Sequence, residues 1–180
     1  MHSTNTNRLH SRVFDRISVI LILIVAFAGV LGPSSPSLAS DQPDLVVDFP
    51  AGAACNFELS VDITGSSRVV REFVDKTGNV VRMLFAGTGS ALVFTNVSTG
   101  VNFSLKSNGA VRHVTFNADG SSTETDTGHN VLILFSTDKP AGPSTTLIIG
   151  SVVFTVDTFQ VFTVLQISGR TTDICAALSH

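Results

Sequence analysis

The nine residues NFELSVDIT place Phe57, Leu59, Val61 and Ile63 on one face of an extended chain and Glu58, Ser60, Asp62 and Thr64 on the other. Strict alternation of this kind is the signature of a half-buried β-strand. It recurs, with interruptions, in RVVREFV, VVRMLFA, ALVFTNV, VNFSLKS, AVRHVTFN, STETDT, VLILFST, TLIIG, SVVFTVD and FQVFTVLQISG. Turn chemistry separates these segments: Thr77-Gly78-Asn79, Thr99-Gly100, Asn108-Gly109, Asp119-Gly120 and the longer DKPAGPS. No run of helical period competes, apart from a final turn at Ala176 to Leu178. Short strands joined by tight turns predict an all-β fold, an antiparallel β-sandwich of about ten short strands, with a closed β-barrel as the alternative. VLILF and TLIIGSVVF are more apolar than alternation requires, so they are expected at the centre of a sheet or where two sheets meet.

The first 39 residues read differently. Arg8, Arg12 and Arg16 precede an uncharged apolar run from Ile17 to Leu31, and GPSSPSLAS follows with small residues at Ser37 and Ala39. Charged, apolar and small-residue regions in that order are the layout of a secretory signal peptide, with cleavage expected after Ala39. A retained membrane anchor is the alternative, although the run is shorter than the roughly 20 apolar residues of a typical span. The expected organisation is therefore a signal peptide over residues 1–39 and a single secreted β domain over 40–180, with membrane contact confined to export.

Removing Arg8, Arg12, Arg16 and Asp15 from the totals of 11 basic and 14 acidic residues leaves eight basic and thirteen acidic, a formal net charge of −5. No basic stripe is present, so nucleic acid is not an expected partner. All 13 aromatic residues are Phe. Platforms that stack sugars and many protein-binding hot spots use Trp or Tyr, so these Phe side chains are expected mainly in the core.

Two turns suggest registers. Taking Asn108-Gly109 as a two-residue loop sets Val101 opposite Phe116, Phe103 opposite Val114 and Leu105 opposite Arg112. Taking Asp119-Gly120 the same way sets Phe116 and Val114 opposite Thr123 and Thr125. The other face of that meander then aligns Ser104, His113 and Asp126, beside a second row of Asn102, Thr115 and Glu124. Aligned Ser, His and Asp suggest a hydrolase in which Asp126 orients His113, His113 acts as base and Ser104 attacks. Against it, the ladder amides of mid-strand residues are already paired and cannot form an oxyanion hole, and no G-x-S-x-G elbow occurs. TFNADGSSTETD partly imitates a calcium loop, which makes Asp119, Glu124 and Asp126 candidate ligands, but strand patterns flank it where helices belong. No cofactor motif is complete: Gly87-Thr88-Gly89-Ser90 lacks the Lys and helix of a phosphate loop, and His113, His129 and His180 show no zinc spacing. Asn96-Val97-Ser98 and Asn102-Phe103-Ser104 match the N-glycosylation acceptor pattern.

Export decides how the two cysteines are read. In an oxidising compartment Cys55 and Cys175 are expected to form a disulfide that fastens the start of the domain to its end. DFPAGAACNFELSV near the mature start, NADGSSTETDTGHNVLILF in the middle and GRTTDICAAL at the end resemble a group of small exported actinobacterial-type proteins to which no activity is attached. That resemblance covers nearly all of residues 40–180 and implies export, an all-β domain and the terminal cysteine pair. The expectation is a non-enzymatic, disulfide-stapled extracellular or cell-envelope module with a binding or structural role and an unspecified ligand. The hydrolase through Ser104, His113 and Asp126 and the calcium-tuned domain are the alternatives.

Overall fold

The computed structural model describes residues 43–180; the expected signal segment lies outside the described residues. Ten strands form: β1 (Leu45–Phe49), β2 (Leu59–Thr64), β3 (Ser67–Val74), β4 (Val80–Thr88), β5 (Ala91–Asn96), β6 (Asn102–Leu105), β7 (Gly109–Phe116), β8 (Ser122–Leu134), β9 (Ser144–Val156) and β10 (Phe162–Asp173). One helical turn, α1 (Ile174–Ala177), follows β10 and is capped by Asp173, whose carboxylate accepts from Ala176 N. The strands make two antiparallel sheets, ordered β1-β2-β5-β6 and β10-β9-β8-β7-β4-β3. This is the expected all-β sandwich, and neither sheet closes into a barrel.

The alternation of NFELSVDIT is realised: Leu59 and Val61 are buried with Phe49 and Phe94 on one face of the four-stranded sheet. On its other face, Ser60 Oγ donates to Asp48 Oδ1 at 2.6 Å. β1 was not expected, because the five residues LVVDF are too short to alternate visibly. β8 and β9 are longer than expected, since STETDT runs into VLIL and TTLIIG into SVVFTV.

Glycines explain that fusion. Gly169, Gly150 and Gly128 face one another across β10, β9 and β8, and the same row continues through Ala110 to Gly87. All four glycines have positive φ, and an added Cβ would lie 2.1–2.4 Å from a carbonyl oxygen of the adjacent strand. Glycine is what lets neighbouring backbones close in along one line and the strands bend there. The bend is large. Leu134 and Ser122 lie at opposite ends of β8, about 40 Å apart if the strand were straight. Yet Lys139, only five residues beyond Leu134, donates from N to Phe162 O at 2.8 Å, and Phe162 pairs with Val156, which pairs with Ser122. Five residues reach at most about 18 Å, so the long strands must curl over.

Asp138 locks the curl. It is buried, and its carboxylate accepts from Phe135 N at 2.6 Å and Phe162 N at 3.0 Å. Leu132, Leu134, Ile148, Val152, Phe154 and Val156 pack in the concavity with Phe162 and Val164 against them. Leu147 and Ile148 are consecutive and both buried, so the apolar run in β9 is covered on both faces, as its sequence required.

The Cys55–Cys175 disulfide is formed, with the Cα atoms 5.5 Å apart. It ties the β1–β2 connection, on the four-stranded sheet, to α1 beyond the edge of the six-stranded one. Around it, Thr145 Oγ1 donates to Ala54 O at 2.9 Å, and Asn96 Nδ2 donates to Leu178 O at 3.1 Å.

Candidate functional site

The Ser-His-Asp row does not form. Ser104 lies in β6, which pairs with β5 in the four-stranded sheet, so Ser104 faces Val93. His113 lies in β7, where it faces Leu84 and Thr125. Asp126 faces Arg112, one position away and therefore on the opposite face of the sheet from His113. Two errors of register produced the expected row. Asn108-Gly109 is not a hairpin loop: the offset between facing residues is unchanged from Arg82↔Thr115 to Leu92↔Leu105, so β4 runs on into β5 and β6 into β7 as one bent hairpin. The β7–β8 turn is also a five-residue loop, Asn117 to Ser121, closed by Asn117 N donating to Ser121 O at 2.8 Å. That shifts the pairing by one residue, to Phe116↔Ser122 and Val114↔Glu124, and exchanges the faces.

The calcium ligands also separate. Asp119 accepts from Ser121 N and Oγ within its own turn, while Glu124 and Asp126 gather around Arg112. Among the described residues no cluster of three metal-ligating side chains occurs. Of the two glycosylation sequons, Asn96 is 3% exposed and spends its side chain on Leu178 O, Ser98 N and Ser98 Oγ, whereas Asn102 is exposed.

The structure brings together two other groups. On the inner face, Arg112 grips Asp126 through Nε at 2.9 and 3.1 Å and a terminal nitrogen at 2.7 Å, and reaches Glu124 at 3.5 Å. Burial weakens the charged form of Arg112, but Asp126 and then Glu124 more than offset this, so its pKa is raised. Burial pushes the Glu124 carboxyl up, with Asp126 adding to the shift and Arg112 opposing it. Half-buried Arg68 is lowered, first by desolvation and then by the positive charge of Arg112. Sequence alignment by turns missed Arg112; the signal was its position, the one charge among Ala110, Val114 and Phe116 on the same side of β7.

On the outer face, one register line crosses all six strands: Phe73, Arg82, Thr115, Thr123, Thr155 and Thr163 face one another in order. At the Phe73 end a shallow groove opens, with Leu84, His113 and Thr115 beside Arg82. The Arg82 guanidinium sits 5.1 Å above the Phe73 ring, a cation–π contact that holds the charge over the groove. At the other end the line is hydroxyls and methyls spaced at the inter-strand distance of about 4.8 Å. A second hydroxyl line, Thr127, Ser151 and Ser168, runs parallel to it. Such a face can hydrogen-bond an extended polar chain along its length while Arg82 and His113 hold an anionic group.

Comparison with protein-family models, curated proteins and solved structures returns no match to this chain.

Proposed function

We propose that the protein is an exported binding module that presents the outer face of its six-stranded sheet to an extended, polar ligand of the cell envelope or extracellular space. The single observation that carries this is the line from Phe73 and Arg82 through four threonines, which sets an anion-holding end and a hydroxyl track in one register. Export is supported by the charged, apolar and small-residue layout of residues 1–39, by the resemblance of the remainder to small exported proteins, and by a disulfide of the kind that persists in oxidising compartments. Without Trp or Tyr the face has no large stacking platform, so recognition rests on hydroxyl hydrogen bonds and one charge contact.

A thermal-shift screen of the oxidised protein against glycans, lipids, metals and envelope fragments tests the proposal. A stabilising ligand is expected to carry an acidic group, and its effect should fall in Arg82→Ala and in Thr123→Val. A ligand whose effect survives both substitutions binds elsewhere and overturns the assignment of this face.

A further inference from the structure

The edge strand β3 carries the strongest unexplained surface. Val69, Val70, Phe73 and Val74 are 64%, 48%, 41% and 60% exposed, four large apolar side chains on one eight-residue strand. β3 pairs only with β4, so its other side presents unpaired backbone donors and acceptors. Edge strands are ordinarily protected against pairing by lysine, proline or cover. β3 has none of these, and its charges are arranged otherwise.

Arg68 stands two residues before Val70 and Glu72 two residues after it, all three on the same face as Gly87, Phe85 and Met83 of β4. Neither Arg68 nor Glu72 makes an ion pair among the described residues. Two identical strands pair antiparallel about a two-fold axis normal to the sheet, which keeps like faces together and sets residue 70−k opposite 70+k when Val70 is on the axis. In that register Arg68 meets Glu72 of the second copy, and Glu72 meets its Arg68. Val70 meets Val70, and Ser67 meets Phe73 on the other face.

We propose that β3 is a self-association edge: two copies of the chain join β3 to β3, centred on Val70, into one continuous twelve-stranded sheet. The occupant is a second copy because the strand supplies both halves of its own charge complement. The pairing also gives half-buried Arg68 a directly facing carboxylate; within its own chain it makes no ion pair among the described residues, and the repulsion of Arg112 is opposed only by the more distant charge of Asp126.

Sedimentation velocity on the oxidised protein over a concentration series tests this, with circular dichroism confirming that each variant is folded. Arg68→Glu and Glu72→Arg each place like charges opposite one another twice and should weaken dimerisation about tenfold. The combined Arg68→Glu/Glu72→Arg variant should recover it. Val70→Cys should cross-link two chains on a non-reducing gel, because paired Cα atoms across a ladder fall within disulfide reach. Val74→Cys, whose opposite number would be Ser66, should not. A monomer at every concentration overturns the proposal, as does a dimer in which the charge swap restores nothing. Protection of the β3 amides only by an added extended peptide would make a foreign strand the occupant, and also overturns it.

Discussion

Replacing Cys55 and Cys175 together by alanine should cost about 5 kcal/mol. The bond joins residues 120 apart, and in the chain-entropy model closing a loop of that length restricts the unfolded chain by roughly 16 cal/mol/K, or about 5 kcal/mol at 25 °C. For a domain of this size that corresponds to a fall in Tm of roughly 15–20 °C. The effect is predicted to act on the unfolded state, because the contacts beside the bond do not depend on sulfur: Thr145 still donates to Ala54 O, and Asn96 to Leu178 O. Urea unfolding of the oxidised protein and the double variant is the assay. The midpoint should drop, and the slope should steepen because an unlinked unfolded chain exposes more surface. Asn96→Ala in the oxidised protein removes the local docking instead and should cost only about 1–2 kcal/mol with the slope unchanged. A double-variant loss under about 1 kcal/mol, or an unchanged slope, refutes the chain-restriction argument.

Four further outcomes are expected. Gly150→Ala puts a Cβ 2.1 Å from Ser168 O and should cost on the order of 3 kcal/mol or prevent folding, whereas Gly100→Ala, with open space around it, should cost about 1 kcal/mol; equal losses by thermal melting would remove the close-approach argument. Asp138→Asn replaces an acceptor of two backbone N–H groups and should cost about 1.5–3 kcal/mol, with amide exchange accelerated first at Phe135 and Phe162. Asp126→Ala leaves Arg112 only its 3.5 Å contact to Glu124 and should cost about 1.5–3 kcal/mol, while Arg112→Met with Asp126→Leu should recover most of that loss and loosen the β7–β8 register, seen as multiple cross-strand contacts by NMR. In carboxyl titrations, Asp75 and Asp119 should ionise below their ordinary range, held down first by hydroxyl hydrogen bonds from Thr77 and Ser121, and Glu124 above it, held up by burial. The signs oppose: the Asp contributions are present above the unfolded pKa and fade as pH falls through the folded one, whereas Glu124 favours folding at low pH and loses that contribution as pH rises from its unfolded to its folded pKa. Midpoints in the reverse order would contradict the placement of Glu124 under the sheet.

Alternation and turn chemistry made the strand content legible, because each half-buried strand writes its faces directly into the residue order. Leu59 and Val61 show this in β2. The cysteine pair was legible from compartment logic, before any geometry. Register was not. Asp75 to Asn79, Asn117 to Ser121 and Asp157 to Val161 are closed alike, the first residue donating from N to the fifth residue's carbonyl oxygen and accepting at its own from the fourth. Gly78, Gly120 and Gln160 hold the fourth place with φ of 89°, 83° and 63°. A dipeptide such as Asp119-Gly120 is compatible with this loop and with a two-residue loop, and the difference is one residue of register. The glycine line was hidden for another reason: Gly87, Gly128, Gly150 and Gly169 are far apart in sequence and fall in one row only once five strands are aligned.

The candidate site inherits that dependence on register. In STETDT both alternating sets are polar, Ser122, Glu124 and Asp126 on one side and Thr123, Thr125 and Thr127 on the other. Within these six residues apolar burial therefore cannot choose between them. Along the whole strand Leu132 and Leu134, in the core on the same side as Glu124 and Asp126, favour turning that side inward, as does buried Val114 opposite Glu124. Arg112 reinforces that choice. Its fork meets Asp126 only when Asp126 points inward, and a slip would leave a partly buried guanidinium unpaired, a larger penalty than any exchange of Thr for Ser. The same register puts Thr123 in line with Thr115 and Thr155 on the outer face. The inner ion pair thus helps to position the outer line without touching it, and substitutions at Arg112 should reach the proposed ligand face through pairing rather than through contact.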